Sequence, residues 1–187
     1  AELVQPHISY VTNIGFSHMA NFVTVDILAK EKCALFEFTK ERLFINQDDQ
    51  FLNLYKNNLP QTTISIQNKA DFFGKINSFQ NGILNVSVND LDLNLNVLGS
   101  HLLTSVVASV AIAESLGVSS KNIIAGVETF KSVNGRMQWL AHKHFPMIHD
   151  AYNANPNSMK AALTFLAETE FNHFFVNRPG LDKIMFL

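Results

Sequence analysis

The sequence predicts an α/β fold: a mostly parallel sheet that carries an antiparallel hairpin and is flanked by helices. Three patterns predict it. Ile8–Ile14 is apolar on both faces, as strands interior to parallel sheets are. Leu84–Val88 and Leu91–Val97 alternate apolar with polar residues around Asn89-Asp90, the pattern of two half-exposed antiparallel strands joined by a tight turn. Val25–Phe38, Leu102–Leu116 and Ser120–Phe130 place apolar residues at helical spacing.

The chain has 187 residues, of which 47% are hydrophobic and 16% charged, which supports a buried core and argues against disorder. That length suits one domain or parts of two. The formal net charge of −2 gives no electrostatic case for nucleic acid or an anionic membrane. Cys33 is the only cysteine, so no internal disulfide can form and a reducing compartment fits. No apolar run is long enough to span a bilayer, and the N-terminus lacks a signal-peptide pattern, so the expected setting is cytoplasmic. An opening Ala1 in place of Met suggests processing or a fragment.

Taken in order, the first strand closes at Gly15 and presents Asn13, Ser17 and His18 at its carboxyl end, where open α/β sheets place ligands. In the following helix Val25, Leu28, Ala29, Leu35 and Phe36 share a face, with Lys32 in its middle and Lys30 pointing away. A lysine so placed ordinarily snorkels to water. The sharper reading is a partly desolvated amine available for chemistry near neutral pH. Leu43-Phe44-Ile45-Asn46 is a second apolar strand ending in Gln47-Asp48-Asp49, whose ordinary reading is a solvated turn. Phe51–Asn58 is expected as a short helix and Thr62–Ile66 as a strand. After the hairpin, Gly99-Ser100-His101 opens a helix with Leu103, Val106, Val107, Val110 and Ala113 on one stripe, stopped by Gly117. The next helix is capped by Ser119 or Ser120 and turns Ile123, Ile124 and Val127 inward.

The chain then reaches the stretch around which it is organised. Phe145-Pro146-Met147-Ile148 reads as a short buried strand. His149-Asp150-Ala151-Tyr152-Asn153-Ala154-Asn155 follows, and Pro156 opens a helix with Met159, Ala162, Leu163 and Leu166 at helical spacing. Asn155 suits the N-cap, and Pro156 suits a first turn where its missing N–H costs nothing. A helix N-terminus at the end of a strand can hold anionic oxygen, although any capped strand-to-helix turn has this form.

The string Asp-x-Tyr-Asn-Ala-Asn-Pro-x-Ser-Met closely resembles the hinge motif of the Mur ligases, in particular those that add D-alanyl-D-alanine to a UDP-muramoyl tripeptide. The resemblance extends over residues 8 to 168. It implies the later part of the family's central ATP-binding domain over residues 1–140, lacking its phosphate loop, and over 141–187 the hinge with the start of the C-terminal α/β domain. None of the eight glycines begins a Gly-x-x-x-x-Gly-Lys-Ser/Thr loop, and Gly74-Lys75 lacks both the upstream glycine and the following hydroxyl.

Site residues follow from the same resemblance. Asn13-Ile14-Gly15-x-x-His18, with Ala29-Lys30-Glu31-Lys32, is similar to the family segment that carries a magnesium-binding histidine and a carbamylated lysine. It implies His18 and Lys32 at the metal, with Lys30 as the alternative to Lys32. Carbamylation requires a neutral amine and yields an anionic oxygen ligand. The helix at Ser100 resembles the family's Gly-x-His-Asn-x-x-Asn-Ala segment, but Leu102 replaces the first asparagine and Ser105 the adenine-binding second. Ser105 can make one hydrogen bond where an amide makes a pair. His101 remains as an adenine neighbour, although a lone histidine is ordinarily a cap or core residue. Gly135-Arg136 is either a surface arginine or, by resemblance, the one that reaches the ATP phosphates, a role suited to a planar fork of donors. Asp150 would meet the ribose, and Asn153, Asn155 and Ser158 would line the phosphate and acceptor side. His149 stands where the family often carries another aspartate. Nucleotide contacts are therefore expected from Asn13, His101, Ser105, Arg136 and Asp150, and chemistry from Lys32 and Arg136.

The implied reaction is ATP-dependent amide ligation in peptidoglycan synthesis, with ATP, Mg2+, the UDP-muramoyl tripeptide and D-alanyl-D-alanine as partners. A related ligase adding the third peptide residue, a folylpolyglutamate synthetase, or a non-catalytic remnant or binding module are the alternatives. As an internal portion, the chain is expected to be marginally stable, prone to associate through an unpaired strand edge, and inactive in ATP hydrolysis. With Ser105 at the base and no phosphate loop, this chain alone should bind ATP no better than roughly millimolar. Calorimetric titration checks this, and micromolar binding would overturn it.

Overall fold

Why the chain folds as it does is clearest at its second strand, where Leu43, Phe44, Ile45 and Asn46 are all buried. A strand covered on both faces needs a layer of structure on each side. The computed structural model supplies both layers, and it describes residues 1–15, 24–80, 83–96, 100–141, 146–152 and 156–168. Its elements are β1 (Ile8–Val11), α1 (Val25–Glu37), β2 (Arg42–Asn46), β3 (Gln61–Ser65), β4 (Phe72–Gln80), β5 (Ile83–Val88), β6 (Leu91–Leu95), α2 (Ser100–Ser115), α3 (Ser120–Glu128), β7 (Gln138–Ala141), β8 (Pro146–His149) and α4 (Pro156–Glu168).

Six strands form one sheet in the order β1-β2-β3-β4-β5-β6. The first four are parallel and the last three antiparallel, so β4 belongs to both halves. Leu43 and Ile45 face a core built with Ala29, Cys33 and Phe36 of α1. Phe44 and Ile64 face the larger core, built with Leu103, Val107 and Ala111 of α2, Ile123 of α3 and Phe165 of α4. Phe165 also meets Phe79 edge to face, with ring centroids 5.6 Å apart. Among the described residues no helix is long and apolar enough to cross a membrane.

Local chemistry sets the boundaries. Thr24 caps α1, its hydroxyl accepting from the Ile27 N–H. Gly117 ends α2 in the left-handed region with φ 76°, while its N–H donates to Glu114 O and the Val118 N–H to Ala113 O. That paired pattern satisfies carbonyls the helix leaves open. Asn89 turns the β5–β6 hairpin with φ 47°. Ser119 occupies the N-cap of α3, with no side-chain cap bond.

Two expectations change, and one strand is new. The first strand ends at Val11, not Ile14; beyond it the chain leaves the ladder, and Thr12 and Asn13 line a crevice. Residues 51–54 make turns and 55–58 continue without a helix, although Asp49 Oδ1 accepts from the N–H groups of Phe51 and Leu52 as an N-cap does. Phe72–Gln80 is a nine-residue strand that has no clean alternation, owing to a bulge between Ile76 and Ser78. At the edge of the sheet, β1 pairs among the described residues only with β2.

Gly74 shows how closely the layers meet. A Cβ there would lie 2.3 Å from a Val107 methyl, closer than any real contact. Gly74→Ala should therefore lower stability by about 1–3 kcal/mol through overpacking of α2 on β4. Gly126→Ala, in α3 with open space around the new methyl, should instead raise it by about 0.5–1 kcal/mol through helix propensity. Urea unfolding of both variants checks the contrast.

Candidate functional site

A polar crevice of about 240 Å³ opens at the carboxyl ends of β1, β2 and β3, under the first half of α2. Its walls include Tyr10, Thr12 and Asn13 from β1 and its extension, and Asn46, Asp48 and Asp49 from the end of β2. Gln67 follows β3, and Thr104 with Ser105 descend from α2.

The strand ends are tied together by side chains of one short segment. Asn46 Nδ2 donates to Thr12 O at 2.8 Å, and Asn46 Oδ1 accepts from the Asp48 N–H. Asp49 Oδ2 accepts from the Ile14 N–H at 2.6 Å. Asp48 accepts from the Ser65 hydroxyl and from the Ile66 N–H at 2.7 Å. These carboxylates form a clasp across three strands, which corrects the reading of Gln47-Asp48-Asp49 as a solvated turn. The Asn46-x-Asp48-Asp49 spacing at a strand end was the signal for it.

Lys32 is half-buried, and its Nζ donates to the Asn13 carbonyl at 3.0 Å, while Lys30 is exposed. Asn13 and Ser105 line the same crevice. His18 lies outside the described residues, as do Asn153 and Asn155. The backbone of His101 is in the first turn of α2. Ser158 is half-buried in the first turn of α4. Among the described residues no three His, Cys, Asp or Glu side chains converge as a metal site. Asp48 and Asp49 already accept from main-chain N–H groups, so the described donors do not by themselves make a magnesium cage.

Arg136 and Asp150, fourteen residues apart, meet in a latch. The Asp150 carboxylate accepts from the Met137 N–H at 3.1 Å, and the Tyr152 N–H donates to Gly135 O at 2.9 Å. Gly135 has φ 74°, and a Cβ there would sit 3.3 Å from Tyr152 N, so glycine fits both the conformation and the approach. Arg136 is exposed, its guanidinium carbon 4.1 Å from the centre of the Tyr152 ring. The antiparallel pairing of β7 with β8, Gln138 opposite His149, carries the two halves of the latch.

Sequence reasoning missed Tyr10. Its hydroxyl is buried without a hydrogen-bond partner at the crevice wall. Burial, with the Asp48 charge behind it, pushes its pKa up to about 12, so it stays a protonated donor. A larger cavity of about 400 Å³ lies between β6, α2 and α3, walled mainly by apolar side chains such as Leu95, Val106 and Phe130. Ser105 lines both spaces.

Residues 1–113 match the family model described as the Mur ligase middle domain. A UDP-N-acetylmuramoyl-tripeptide–D-alanyl-D-alanine ligase from Treponema pallidum is 26% identical over 89% of this chain and 37% of its own length. A UDP-N-acetylmuramoylalanine–D-glutamate ligase from Listeria monocytogenes is 33% identical over 74% of this chain and 31% of its own. Among solved structures, MurF from Acinetobacter baumannii superposes with a TM-score of 0.75 at 26% identity, covering 90% of this chain and 39% of that one. The chain thus spans well under half the length of these relatives.

The clasp yields a stability prediction. Asp49→Ala leaves the N–H groups of Ile14, Phe51 and Leu52 without their acceptor and should cost about 3 kcal/mol. Asp49→Asn, which keeps one acceptor oxygen, should cost about half as much. Denaturant midpoints for the two variants check the order, and equal losses would sink the account.

Proposed function

Since the chain belongs to the Mur ligase family, we propose that it forms part of an ATP-dependent amide ligase of peptidoglycan precursor synthesis. The reaction joins D-alanyl-D-alanine to a UDP-N-acetylmuramoyl tripeptide. Residues 1–140 are then a portion of the central ATP-binding domain, and 141–187 the hinge and the start of the C-terminal domain. A cytoplasmic setting belongs to the same proposal.

One observation supports the reading most. The hinge motif at Asp150–Met159 is fastened, through Asp150 and Tyr152, to the Gly135-Arg136-Met137 turn. That brings an arginine and an aspartate of the proposed nucleotide site to one place. In the reaction the terminal carboxylate of the tripeptide takes the γ-phosphoryl group of ATP and ADP departs. The amine of D-alanyl-D-alanine attacks the acyl phosphate, loses a proton, and expels phosphate to leave the amide.

Arg136 serves as a donor to the transferring phosphoryl group, where positive charge matters most as negative charge shifts. Stacking on Tyr152 uses the guanidinium face and leaves its in-plane N–H groups for oxygen. Asp150 would meet the ribose, with Asn13, Ser105 and His101 toward the base. Asn153, Asn155 and Ser158 would line the phosphate and acceptor side. Magnesium, held by His18 and a carbamate on Lys32, would supply further neutralisation of phosphate charge. No step is assigned to the ion, since the described donors do not cage it.

A second reading, addition of D-glutamate, is supported by the higher identity to the Listeria ligase. Full-length protein containing this chain should release phosphate from ATP only with both UDP-muramoyl tripeptide and D-alanyl-D-alanine present. Arg136→Lys should lower kcat/KM by about 100-fold or more. Phosphate release that requires UDP-muramoyl-alanine and D-glutamate instead would overturn the D-alanyl-D-alanine assignment.

A further inference from the structure

Among the described residues the Arg136 guanidinium makes no ion pair and no hydrogen bond. Its one contact is the face of Tyr152, 4.1 Å from the ring centre. Asp150, the acidic side chain of the latch, accepts from the Met137 N–H instead. The arginine main chain is fixed, its N–H donating to Val133 O and its carbonyl accepting from the Ser132 hydroxyl. Only the side chain is left to be placed.

Tyr152 is placed for this contact and for no other that the fold uses. The residue is 63% exposed and belongs to neither apolar core. The latch needs only its main chain and Cβ: its N–H donates to Gly135 O, and the close approach of Gly135 is to those atoms. The ring itself therefore contributes little to the fold. What it offers is a neutral π face, which attracts a cation through its quadrupole.

We propose that Tyr152 is a positioning residue for phosphoryl transfer, acting through Arg136. The proposal rests on the ligase reading above and adds to it a residue that itself touches no substrate. An unpaired, exposed arginine samples several rotamers, and those that point elsewhere take the cation away from the reacting phosphate. A ring against one face removes that freedom and leaves the in-plane N–H donors open. A carboxylate partner would hold the side chain as well, but it would occupy those donors and offset the charge the phosphoryl oxygens meet. An aromatic ring does neither.

The test uses full-length protein containing this chain, assayed for phosphate release from ATP with UDP-muramoyl tripeptide and D-alanyl-D-alanine. Tyr152→Phe keeps the ring face and should stay within about twofold of wild type in kcat. Tyr152→Leu keeps the main chain and Cβ but loses the face, and should lower kcat about five- to thirtyfold. Its KM for D-alanyl-D-alanine and its Tm should match wild type, because neither the acceptor side nor the latch is touched. Arg136→Ala combined with Tyr152→Leu should be within about twofold of Arg136→Ala, since a residue that acts through the arginine then has nothing to place. Losses that multiply in the double variant would overturn the proposal and leave the ligase reading standing. So would a Tyr152→Leu enzyme as fast as wild type, a Tyr152→Phe enzyme as slow as Tyr152→Leu, or a loss seen only as a raised KM for D-alanyl-D-alanine or a lowered Tm. If Arg136→Ala itself leaves kcat unchanged, the role of the arginine in the ligase reading falls and the proposal with it.

Discussion

The crevice depends on the clasp at the end of β2. Parallel strands end in carbonyls and N–H groups that have no ladder partner, and three such ends meet here. Asn46, Asp48 and Asp49 satisfy them from one segment, reaching Thr12 and Ile14 on one side and Ser65 and Ile66 on the other. Charged acceptors make stronger bonds to N–H groups than neutral ones. The clasp therefore fixes the spacing of β1, β2 and β3 where the sheet opens, and Tyr10, Asn13 and Ser105 acquire a common space as a consequence.

Much of the scaffold could be read from the sequence because burial there leaves a periodic trace. The hairpin followed from alternation and from Asn89-Asp90, and Gly117 marked the end of α2. What escaped did so for physical reasons. The bulge at Ile76/Ser78 shifts the phase of β4 midway, so its residues match neither a strand nor a helix template. Residues 51–58 have helical-looking apolar spacing and Asp49 caps the N–H groups of Phe51 and Leu52, yet the turn does not propagate into a helix. Long-range pairing and the cost of nucleating a short helix each override propensity.

The site was legible in a different way. Arg136 and Asp150 were singled out by resemblance, but their connection needed the structure, since it runs through main-chain N–H groups that no motif displays. The acidic pair was misread as a solvated turn because sequence records charge and not the donors around it. Tyr10 left no signal at all, for an aromatic residue in an apolar strand looks like core. Only the geometry shows that its hydroxyl is buried with the ring and has no partner there.

The latch between Gly135–Met137 and Asp150–Tyr152 carries a cost that explains its composition. Met137 is fully buried with φ 45°, a conformation that non-glycine residues adopt rarely. Such strain of about 1–3 kcal/mol persists only where neighbours over-determine it. Here the Met137 side chain is anchored in the main core, its N–H is held by Asp150, and the preceding Gly135 is bound to Tyr152. Arg136 sits between these two fixed points, its N–H donating to Val133 O and its carbonyl accepting from the Ser132 hydroxyl. Its stacking on Tyr152 then selects among the remaining rotamers. The turn is held both from its own side and across to Asp150 and Tyr152. The guanidinium is thus placed by both halves of the latch, the Gly135–Met137 turn and the segment that follows β8.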